Sequence, residues 1–551
     1  MPPRRNIALV IAGGASLGSY EAGVMTELLY ALDYLNRTRE GDEPEFVIDV
    51  ITGGSAGALT AALVARIMLH DYGERSRLYE AWVERINIVE LMQKAPDNAV
   101  LSKGVIRKLA HDLVVEGIDT GASPASFAPQ TLRMGLSLSN MNGIDYRLPV
   151  LASAMSTGKP FVTTLYSDTA HFRLRTGGQR LSVWERIIEA AIASSSFPIA
   201  FQPEDLLRFP ADYPDSALAE RPSSFFPAQG GREMAFLDGG IFNNEPLEEA
   251  IRLARETDGG IPNPDRLFLL IDPAINVSEF EPDIKITAPL ENHINRLIEM
   301  IFNQGQAIQW LRDAYRKNTE IAWRDELVQG LTYLVRTSDI DQDPQFVRGL
   351  QQLTNRVIRE KSRLADDADL RPELEKILGT VETRFADAYR SLDGSPRQAA
   401  KQEVFRHLVF ILNTVANLQN KSALQFSVIG STPERTAGDQ ISGFGGFFDQ
   451  EWRQHDYRQG RIEAHDRLTE ILAKRYPKEQ VNGRTSADYA IEQDYSNVSL
   501  KDADRGLREK MRDTILARLA KVVGNTLKVP VSGWLVTRIF LRRRVNELLE
   551  L

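Results

Sequence analysis

The sequence predicts an α/β fold in which a mainly parallel sheet is covered by helices. The first observation is that two short apolar runs, IALVIA (Ile7–Ala12) and FVIDVI (Phe46–Ile51), each lead through glycines into a segment with helical periodicity. The second is that strand candidates alternate with helices as far as Ala274, which is typical of a parallel sheet. The third is that charged, periodic sequence begins at about Pro289. We therefore expect a three-layer α/β/α domain followed by a mostly helical C-terminal region.

Each element of the predicted domain has its own signal. Apolar residues at helical spacing predict a first helix from Ala22 to Leu35 and a second from Ala56 to Ile67. The later strand candidates are LRMGLSLS, PFVTTLYS, HFRLRT, MAFLDGG and RLFLLIDPA. Between Pro203 and Phe236 lies a proline-rich stretch that predicts an irregular loop. Such a loop is as consistent with a lid over a site as with a plain surface excursion.

The domain organisation follows from length and composition. A chain of 551 residues is too long for one ordinary core, so two or three domains are expected. The character of the sequence changes near residue 280 and again near residue 425. These changes predict an α/β domain at 1–280, a helical region at 281–425, and a C-terminal region at 426–551 that contains a glycine- and aromatic-rich loop and a basic terminal segment.

Composition excludes several function classes. A formal net charge of −9 argues against nucleic acid as a partner. The chain has no cysteine, which excludes disulfides and thiolate chemistry and suits a reducing compartment. The acidic clusters Asp212–Asp215 and Asp339–Asp343 are typical of solvated loops, so neither a metal nor a cofactor is expected. No apolar run is long enough for a signal sequence or a membrane span, and we expect a cytoplasmic protein.

Three motifs carry the candidate chemistry. GGSAG places Ser55 between glycines at a strand-to-helix joint, the context of a nucleophile elbow, although a helix cap would explain the serine alone. IAGGASLGSYEAGV comes directly after the first strand and offers backbone N–H groups to an oxyanion, or forms only a tight turn. It has Ser19 and Tyr20 where a nucleotide-binding P-loop needs Lys and Ser or Thr. FLDGGIFNNEPL places Asp238 before two glycines, which also suits an ordinary Asp turn.

Taken together, in this order and at these spacings, the motifs resemble those of the patatin-like phospholipase family. The resemblance extends to AAIASSSFPIAFQP (Ala190–Pro203) and to GGIFNNEPLEEAI, and it covers roughly the first half of the chain. Within the second half, FGGFFDQEWRQHDYRQGR resembles a segment located after the catalytic domain in some bacterial members. The resemblance implies a patatin-like fold and hydrolysis through a serine–aspartate dyad without histidine.

The resemblance also implies roles for individual residues. Ser55 corresponds to the nucleophile and Asp238 to the base. The residues expected at the oxyanion hole are Gly13, Gly14, Ala15 and Ala56. The residues expected to support these motifs are Gly18, Gly53, Gly57, Gly239, Gly240 and Asn244.

Two residues depart from the family pattern. Ala15 stands where the family has a third glycine, and it suits that position if its φ angle is negative. Leu17 stands where the family has Arg or Lys, so a cation that orders the loop or meets a lipid head group is missing.

The expected activity is that of a lipid acyl hydrolase of the phospholipase A or lysophospholipase type, acting on phospholipids or related acyl esters. One alternative is an acyltransferase that uses the same dyad. Another is a membrane-associated interaction protein whose catalytic half has decayed, for which Leu17 is the best sign. A nucleotide-binding module is the weakest alternative.

The C-terminal end has two open interpretations. SGWLVTRIFLRRRV places Trp534 and Ile539 among Arg538 and Arg542–Arg544, a pattern suited to a peripheral contact with an anionic membrane such as the inner membrane face. A terminal helix docked on the acidic body explains the same residues slightly better. Further upstream, Trp452–Arg461 is interpreted as a packed aromatic–arginine interface in preference to a ligand pocket.

Overall fold

The structure is a computed structural model of the whole chain. It describes residues 3–551 except 75, 97, 119–120, 149–160, 179, 199, 214–225, 228–229, 261–262, 276–305, 366–369, 395, 417–423, 440–442, 473–488, 490, 492, 494, 496–497, 528–541 and 544. The predicted boundary near residue 280 and the aromatic residue Trp534 lie outside the described residues.

In the described part of the chain, eight strands form one mixed sheet at the core of the molecule. The strands are β1 (Arg4–Ile11), β2 (Glu45–Gly53), β3 (Thr131–Leu148), β4 (Phe161–Arg175), β5 (Glu204–Arg208), β6 (Arg232–Asp238), β7 (Leu267–Asp272) and β8 (Gln425–Gly430). Their order is β5-β6-β3-β2-β1-β7-β8, and β4 pairs with β3 outside this path. The pairs β3–β2, β2–β1, β1–β7 and β7–β8 are parallel, whereas β4, β5 and β6 pair antiparallel.

Helices connect and cover these strands. In the first half they are α1 (Gly18–Arg37), α2 (Ala56–Leu69), α3 (Arg77–Tyr79), α4 (Ile88–Met92), α5 (Gly104–Ala110), α6 (Leu181–Ser194), α7 (Gly240–Asn243) and α8 (Leu247–Thr257). In the second half they are α9 (Gln306–Thr337), α10 (Pro344–Ala365), α11 (Leu370–Arg384), α12 (Ala386–Arg390), α13 (Gln398–Val415), α14 (Gln450–Ile471) and α15 (Arg505–Leu527). The predicted α/β class and the helical C-terminal region are confirmed.

One sequence expectation was wrong in part. The proline-rich stretch was expected to hold no regular element, yet its beginning forms the edge strand β5, paired with β6. The reason is that Pro203 and Pro210 flank this strand and do not interrupt it, so no ladder hydrogen bond is lost. Arg208 of β5 is buried and paired with Asp168 at 3.0 Å. The centre of the stretch, 214–225, lies outside the described residues, so the lid interpretation stays a prediction.

Strand β8 and helix α14 both join the C-terminal region to the α/β core. Strand β8 extends the sheet beside β7 in parallel register, from Leu267 opposite Gln425 to Asp272 opposite Gly430. Helix α14 packs along α1, where Arg461 is buried and donates to the buried carboxylate of Glu27 at 3.0 Å. The residues Trp452–Arg461 thus form an interhelical interface. The division of the chain into three domains stays a prediction.

Two glycines allow α1 and α14 to approach each other closely. A Cβ added to Gly23 would lie 2.0 Å from the carbonyl oxygen of Tyr457, and one added to Gly460 would lie 2.2 Å from that of Tyr20. Both obstacles are backbone atoms, which cannot rotate away as a side chain would. Close helix contact therefore depends on the absence of side chains at these positions.

We predict that Gly23→Ala lowers the free energy of unfolding by about 1–3 kcal/mol, because the added methyl group forces the helices apart. The matched control is Gly349→Ala on α10, where an added Cβ meets nothing within 4 Å. The control should be neutral or stabilising by about 0.5–1 kcal/mol, since alanine restricts the unfolded chain and favours helix. Melting temperatures of the two variants check this, and equal shifts would contradict it.

The described part of the C-terminal end contacts the body. Val545 and Leu549 are buried in the main core, and Arg508 donates to the carbonyl of Glu550 at 2.7 Å. These contacts favour the docked-helix interpretation for the last residues, and the membrane contact of Arg538 and Arg542–Arg544 stays a prediction. Within the part of the chain that the structure describes, no helix combines the length and hydrophobicity that crossing a bilayer requires.

Candidate active site

Ser55 lies at the tip of a sharp turn between β2 and α2. Its φ of 49° is in the left-handed region, which is costly for a residue with a side chain and typical of a nucleophile elbow. The flanking glycines are required by close packing. A Cβ on Gly53 would lie 2.5 Å from the carbonyl oxygen of Gly57, and one on Gly57 would lie 2.3 Å from that of Ile11. The turn leaves Ser55 partly exposed at the carboxyl edge of the sheet, and its side chain makes no cap hydrogen bond to α2.

Asp238 is brought to Ser55 by the end of β6, although the two residues are 183 positions apart. The Ser55 Oγ donates to Asp238 Oδ2 at 2.7 Å, and the N–H of Gly240 donates to Oδ1 at 2.7 Å. A Cβ on Gly239 would lie 2.2 Å from the carbonyl oxygen of Ser137, so only glycine allows the chain to turn here. Each carboxylate oxygen thus has one donor, and the serine hydroxyl is one of them.

The environment of Asp238 strengthens it as a base. The residue is 1 % exposed, and burial raises the pKa of its carboxyl group from 3.8 to about 7, while hydrogen bonds from Ser55 and Gly240 lower it. Burial dominates because no cation is paired with the carboxylate among the described residues. An aspartate with an ordinary pKa would hold a serine proton poorly, so this shift suits proton abstraction.

The loop between β1 and α1 lies beside Ser55. A Cβ on Gly13 would lie 2.6 Å from the Ser55 Cβ, which shows how closely the backbone passes. The Gly13 N–H donates to the carbonyl of Asn244 at 3.2 Å, and the Asn244 Nδ2 donates back to the Gly13 carbonyl at 3.3 Å. Asn244 therefore fixes the Gly13 peptide. In the described part of the chain, the N–H groups of Gly14 and Ala15 have no acceptor.

The structure shows how Ala15, Leu17 and Gly18 are accommodated in this loop. Ala15 suits the third glycine position of the family only if its φ angle is negative, and this condition is not met, because its φ is 48°, a conformation that favours glycine. The loop turns directly into a short 3₁₀ helix, Ala15–Leu17, and Ala15 takes the left-handed conformation at its start. Leu17 is buried in place of the family cation, and Gly18 is required because a Cβ there would lie 2.4 Å from the Trp82 ring.

A run of three serines supports the elbow, and its role was missed from the sequence. The N–H of Ser55 donates to Ser194 Oγ at 3.0 Å, and the Ser195 Oγ donates to the Ser55 carbonyl at 2.9 Å. The carbonyl of Ser196 accepts from the Asp238 N–H at 3.0 Å. Ser194, Ser195 and Ser196 thus hold both members of the pair. The segment SSSFP was already part of the resemblance, but nothing in its pattern indicated these contacts.

Five of the seven histidines have other partners in the described part of the chain. His171 contacts Glu249, His465 contacts Glu27, and His455 contacts Asp456. His70 contacts the carbonyl of Ile118, and His407 contacts Thr354. No histidine in the described ranges is hydrogen-bonded to the Ser55–Asp238 pair. The described residues also contain no group of three or more His, Asp or Glu side chains placed to hold a metal ion.

The mixed sheet and this serine elbow beside an aspartate define a class, the α/β proteins that carry a Ser–Asp pair. Comparison gives the family. Residues 9–251 match the family described as patatin-like phospholipase, and residues 418–525 match the family described as protein of unknown function (DUF3376). The chain carries a patatin-like phospholipase domain followed by a DUF3376 region, which confirms the predicted resemblance.

A curated protein that is similar to part of this chain is named as uncharacterized and so points to no activity. An uncharacterized protein, y4iI, of Sinorhizobium fredii (strain NBRC 101917 / NGR234) is 25 % identical in an alignment that covers 49 % of this chain and 49 % of the relative. The chain therefore spans about half the length of the curated relative it matches.

We predict a pH-dependent effect of Asp238→Asn on stability. In the unfolded chain the carboxyl group titrates near 3.8 and in the folded chain near 7. Between these values the folded state binds the extra proton, so the wild type loses stability as pH rises, and the loss is complete above about pH 7. Asparagine does not titrate. The melting temperature of the wild type relative to the variant should therefore fall between pH 4 and 7 and then stay constant. A difference independent of pH would contradict the raised pKa.

Proposed function

We propose that this protein is a lipid acyl hydrolase that cleaves carboxylic esters of phospholipids or related lipids through Ser55 and Asp238. The observation that carries the proposal is the 2.7 Å hydrogen bond from a strained serine to a buried aspartate. The patatin-like phospholipase domain over residues 9–251 supports an acyl-ester lipid as the substrate class. We propose no metal and no cofactor in the reaction, because acyl transfer needs only a nucleophile, a base and oxyanion donors.

The first half-reaction forms an acyl-enzyme. Ser55 Oγ attacks the ester carbonyl carbon while its proton passes to Asp238 Oδ2. The carbonyl oxygen becomes an oxyanion, which accepts hydrogen bonds from backbone N–H groups. The intermediate then expels the alcohol, which takes the proton from Asp238, and the acyl group remains esterified to Ser55.

The second half-reaction regenerates the enzyme. A water molecule gives a proton to Asp238 as it attacks the acyl-enzyme, and the second oxyanion uses the same donors. Collapse of this intermediate releases the carboxylic acid, and the proton of Asp238 returns to Ser55 Oγ. One water is consumed and one ester bond is cleaved. If an alcohol replaces this water, the same steps give the acyltransferase alternative.

We assign the oxyanion donors from the hydrogen bonds that are already made. The Gly13 N–H is engaged by Asn244, so we propose that Gly13 shapes the loop and that the donors are the N–H groups of Gly14 and Ala15. Ala56 begins α2, whose N-terminal dipole favours negative charge at the same place. This arrangement does not use a side chain at position 17.

We predict that Ser55→Ala and Asp238→Asn each lower kcat for a short soluble ester by about 10³-fold or more, and that the double variant is little worse, because the two groups act as a unit. His171→Gln is the matched control, since it removes a partly buried group that contacts Glu249, and it should keep most activity. Steady-state kinetics on purified protein give kcat for each of these four variants and for the wild type. The proposal fails if the wild-type rate equals that of Ser55→Ala.

We predict that kcat/KM falls tenfold for each pH unit below about 7 and is level above it. The reason is that Asp238 must be ionised to accept the Ser55 proton and burial raises its pKa to about 7. A histidine base would give a similar profile, so the measurement includes His171→Gln and the other single histidine variants. Each histidine variant should keep the same fall of kcat/KM below about pH 7. If one histidine variant lost this pH dependence, the dyad would be wrong and a triad containing that histidine would take its place.

A further inference from the structure

We call the loop between β1 and α1, residues 12–17, the oxyanion loop. The side chain of Ser16 links it to a segment more than 420 positions away in the chain. Ser16 directly follows Ala15 and is fully buried. Its Oγ donates to the carbonyl of Gly443 at 2.5 Å and accepts from the N–H of Gly446 at 3.0 Å. The carbonyl of Gly438 lies 3.3 Å from the same oxygen. A single hydroxyl therefore joins the loop beside Ser55 to the DUF3376 region.

The partners of Ser16 belong to a segment that we name the anchor loop, residues Ala437–Gly438 and Gly443–Phe448. Two buried side chains of α14 bind the backbone of the anchor loop. The carboxylate of Asp456 accepts from the N–H groups of Ala437 at 2.6 Å and Gly438 at 2.9 Å. The guanidinium of Arg453 donates to the Gly446 carbonyl at 2.8 Å and also reaches the Asp449 carbonyl at 3.0 Å. Because α14 packs along α1, the anchor loop is fixed to the rigid part of the fold.

The anchor loop also touches the backbone that carries the oxyanion donors. Gly443 has a φ of 82°, and a Cβ added to it would lie 2.8 Å from the Gly14 carbonyl oxygen and 3.5 Å from the Ala15 Cβ. On its other side, the Phe444 ring packs against Phe197 at 5.4 Å between centroids. Phe197 directly follows the serine run that holds Ser55 and Asp238. The anchor loop thus contacts the oxyanion loop on one side and Phe197, which follows the serine run, on the other.

We propose that the anchor loop, whose backbone is held by Asp456 and Arg453, positions the oxyanion loop for catalysis, with Ser16 as the positioning residue. This gives the DUF3376 region a role in the chemistry of the patatin-like domain and rests on the proposed hydrolase function. Ala15 is held at a φ of 48°, which its side chain disfavours, and the loop has Leu17 where the family has a cation. Hydrogen bonds from outside the loop compensate for both features, because they hold the Gly14 and Ala15 peptides where the oxyanion forms.

The test compares Ser16→Ala with Tyr457→Phe in the full-length protein. Tyr457→Phe is the matched control, because like Ser16→Ala it removes one buried hydroxyl. The Tyr457 hydroxyl donates to Thr26 at 3.1 Å and so joins α14 to α1, and its loss leaves the oxyanion loop untouched. We expect Ser16→Ala to lower kcat for a short soluble ester by about 10–100-fold with KM within about 3-fold, a fraction of what losing a whole oxyanion donor costs. Tyr457→Phe should stay within about 2-fold of the wild type.

A second measurement separates positioning from general damage. A trifluoromethyl ketone analogue of the ester adds to a serine nucleophile and forms an oxyanion, so its Ki reports transition-state binding. In Ser16→Ala this Ki should rise by about the factor by which kcat falls. A Ki equal to that of the wild type, or equal losses of kcat in Ser16→Ala and Tyr457→Phe, would overturn the proposal.

Gly443→Ala tests the same contact from the other side, since its methyl group meets the Gly14 carbonyl, and it should also lower kcat more than it changes KM. If neither Ser16→Ala nor Gly443→Ala folds, the contact holds the domain together and the positioning role is overturned. A wild-type rate no higher than that of Ser55→Ala would instead refute the hydrolase function itself. The two failures are therefore distinguishable.

Discussion

The hydrogen bond between Ser55 and Asp238 is the interaction on which the rest of the site depends. It joins the turn after β2 to the end of β6, two strands that are separated by β3 in the sheet. Burial raises the pKa of Asp238 to about 7, and no cation is paired with its carboxylate among the described residues. That burial also makes the ionised state of Asp238 costly, and in the proposed mechanism this cost makes the carboxylate a stronger base toward the serine proton.

Close backbone approach is the second constraint, and glycine satisfies it. Gly13 passes the Ser55 side chain, Gly57 passes the carbonyl of Ile11, and Gly239 passes that of Ser137, each at a distance that a Cβ would occupy. These contacts compress three separate strand ends into one small region at the carboxyl edge of the sheet. Once the strands are crowded in this way, the positions of Ser55, Asp238 and the N–H groups of Gly14 and Ala15 are not independent, because moving one displaces the others.

Much of this could be read from the sequence, and the missing parts have a common cause. The buried strands, the elbow at Ser55 and the Asp-Gly-Gly turn each depend on residues close together in the chain, and local patterns report such features well. The strand β5 and the contacts of Ser16 depend on pairing with residues that are distant in the chain. The φ angle of Ala15 belongs to the loop that Ser16 links to those distant residues. No local pattern reports that Ser16 meets Gly443. The serine run Ser194–Ser196 was visible as a motif, but its function as a support required the tertiary contacts.

The contact between the two regions also bears on Leu17. A loop that is ordered by its own charged side chain can work within a small domain, whereas this loop is ordered by buried hydrogen bonds to residues beyond position 437. The side chain at position 17 is then free to be apolar. It is fully buried, and a Cβ added to Gly438 would lie 3.2 Å from it. A cation there would be desolvated against the anchor loop, at a cost of several kcal/mol. Leu17 is therefore better explained as an adaptation to the C-terminal region than as a sign of catalytic decay, since the residues that would carry the chemistry all remain in place.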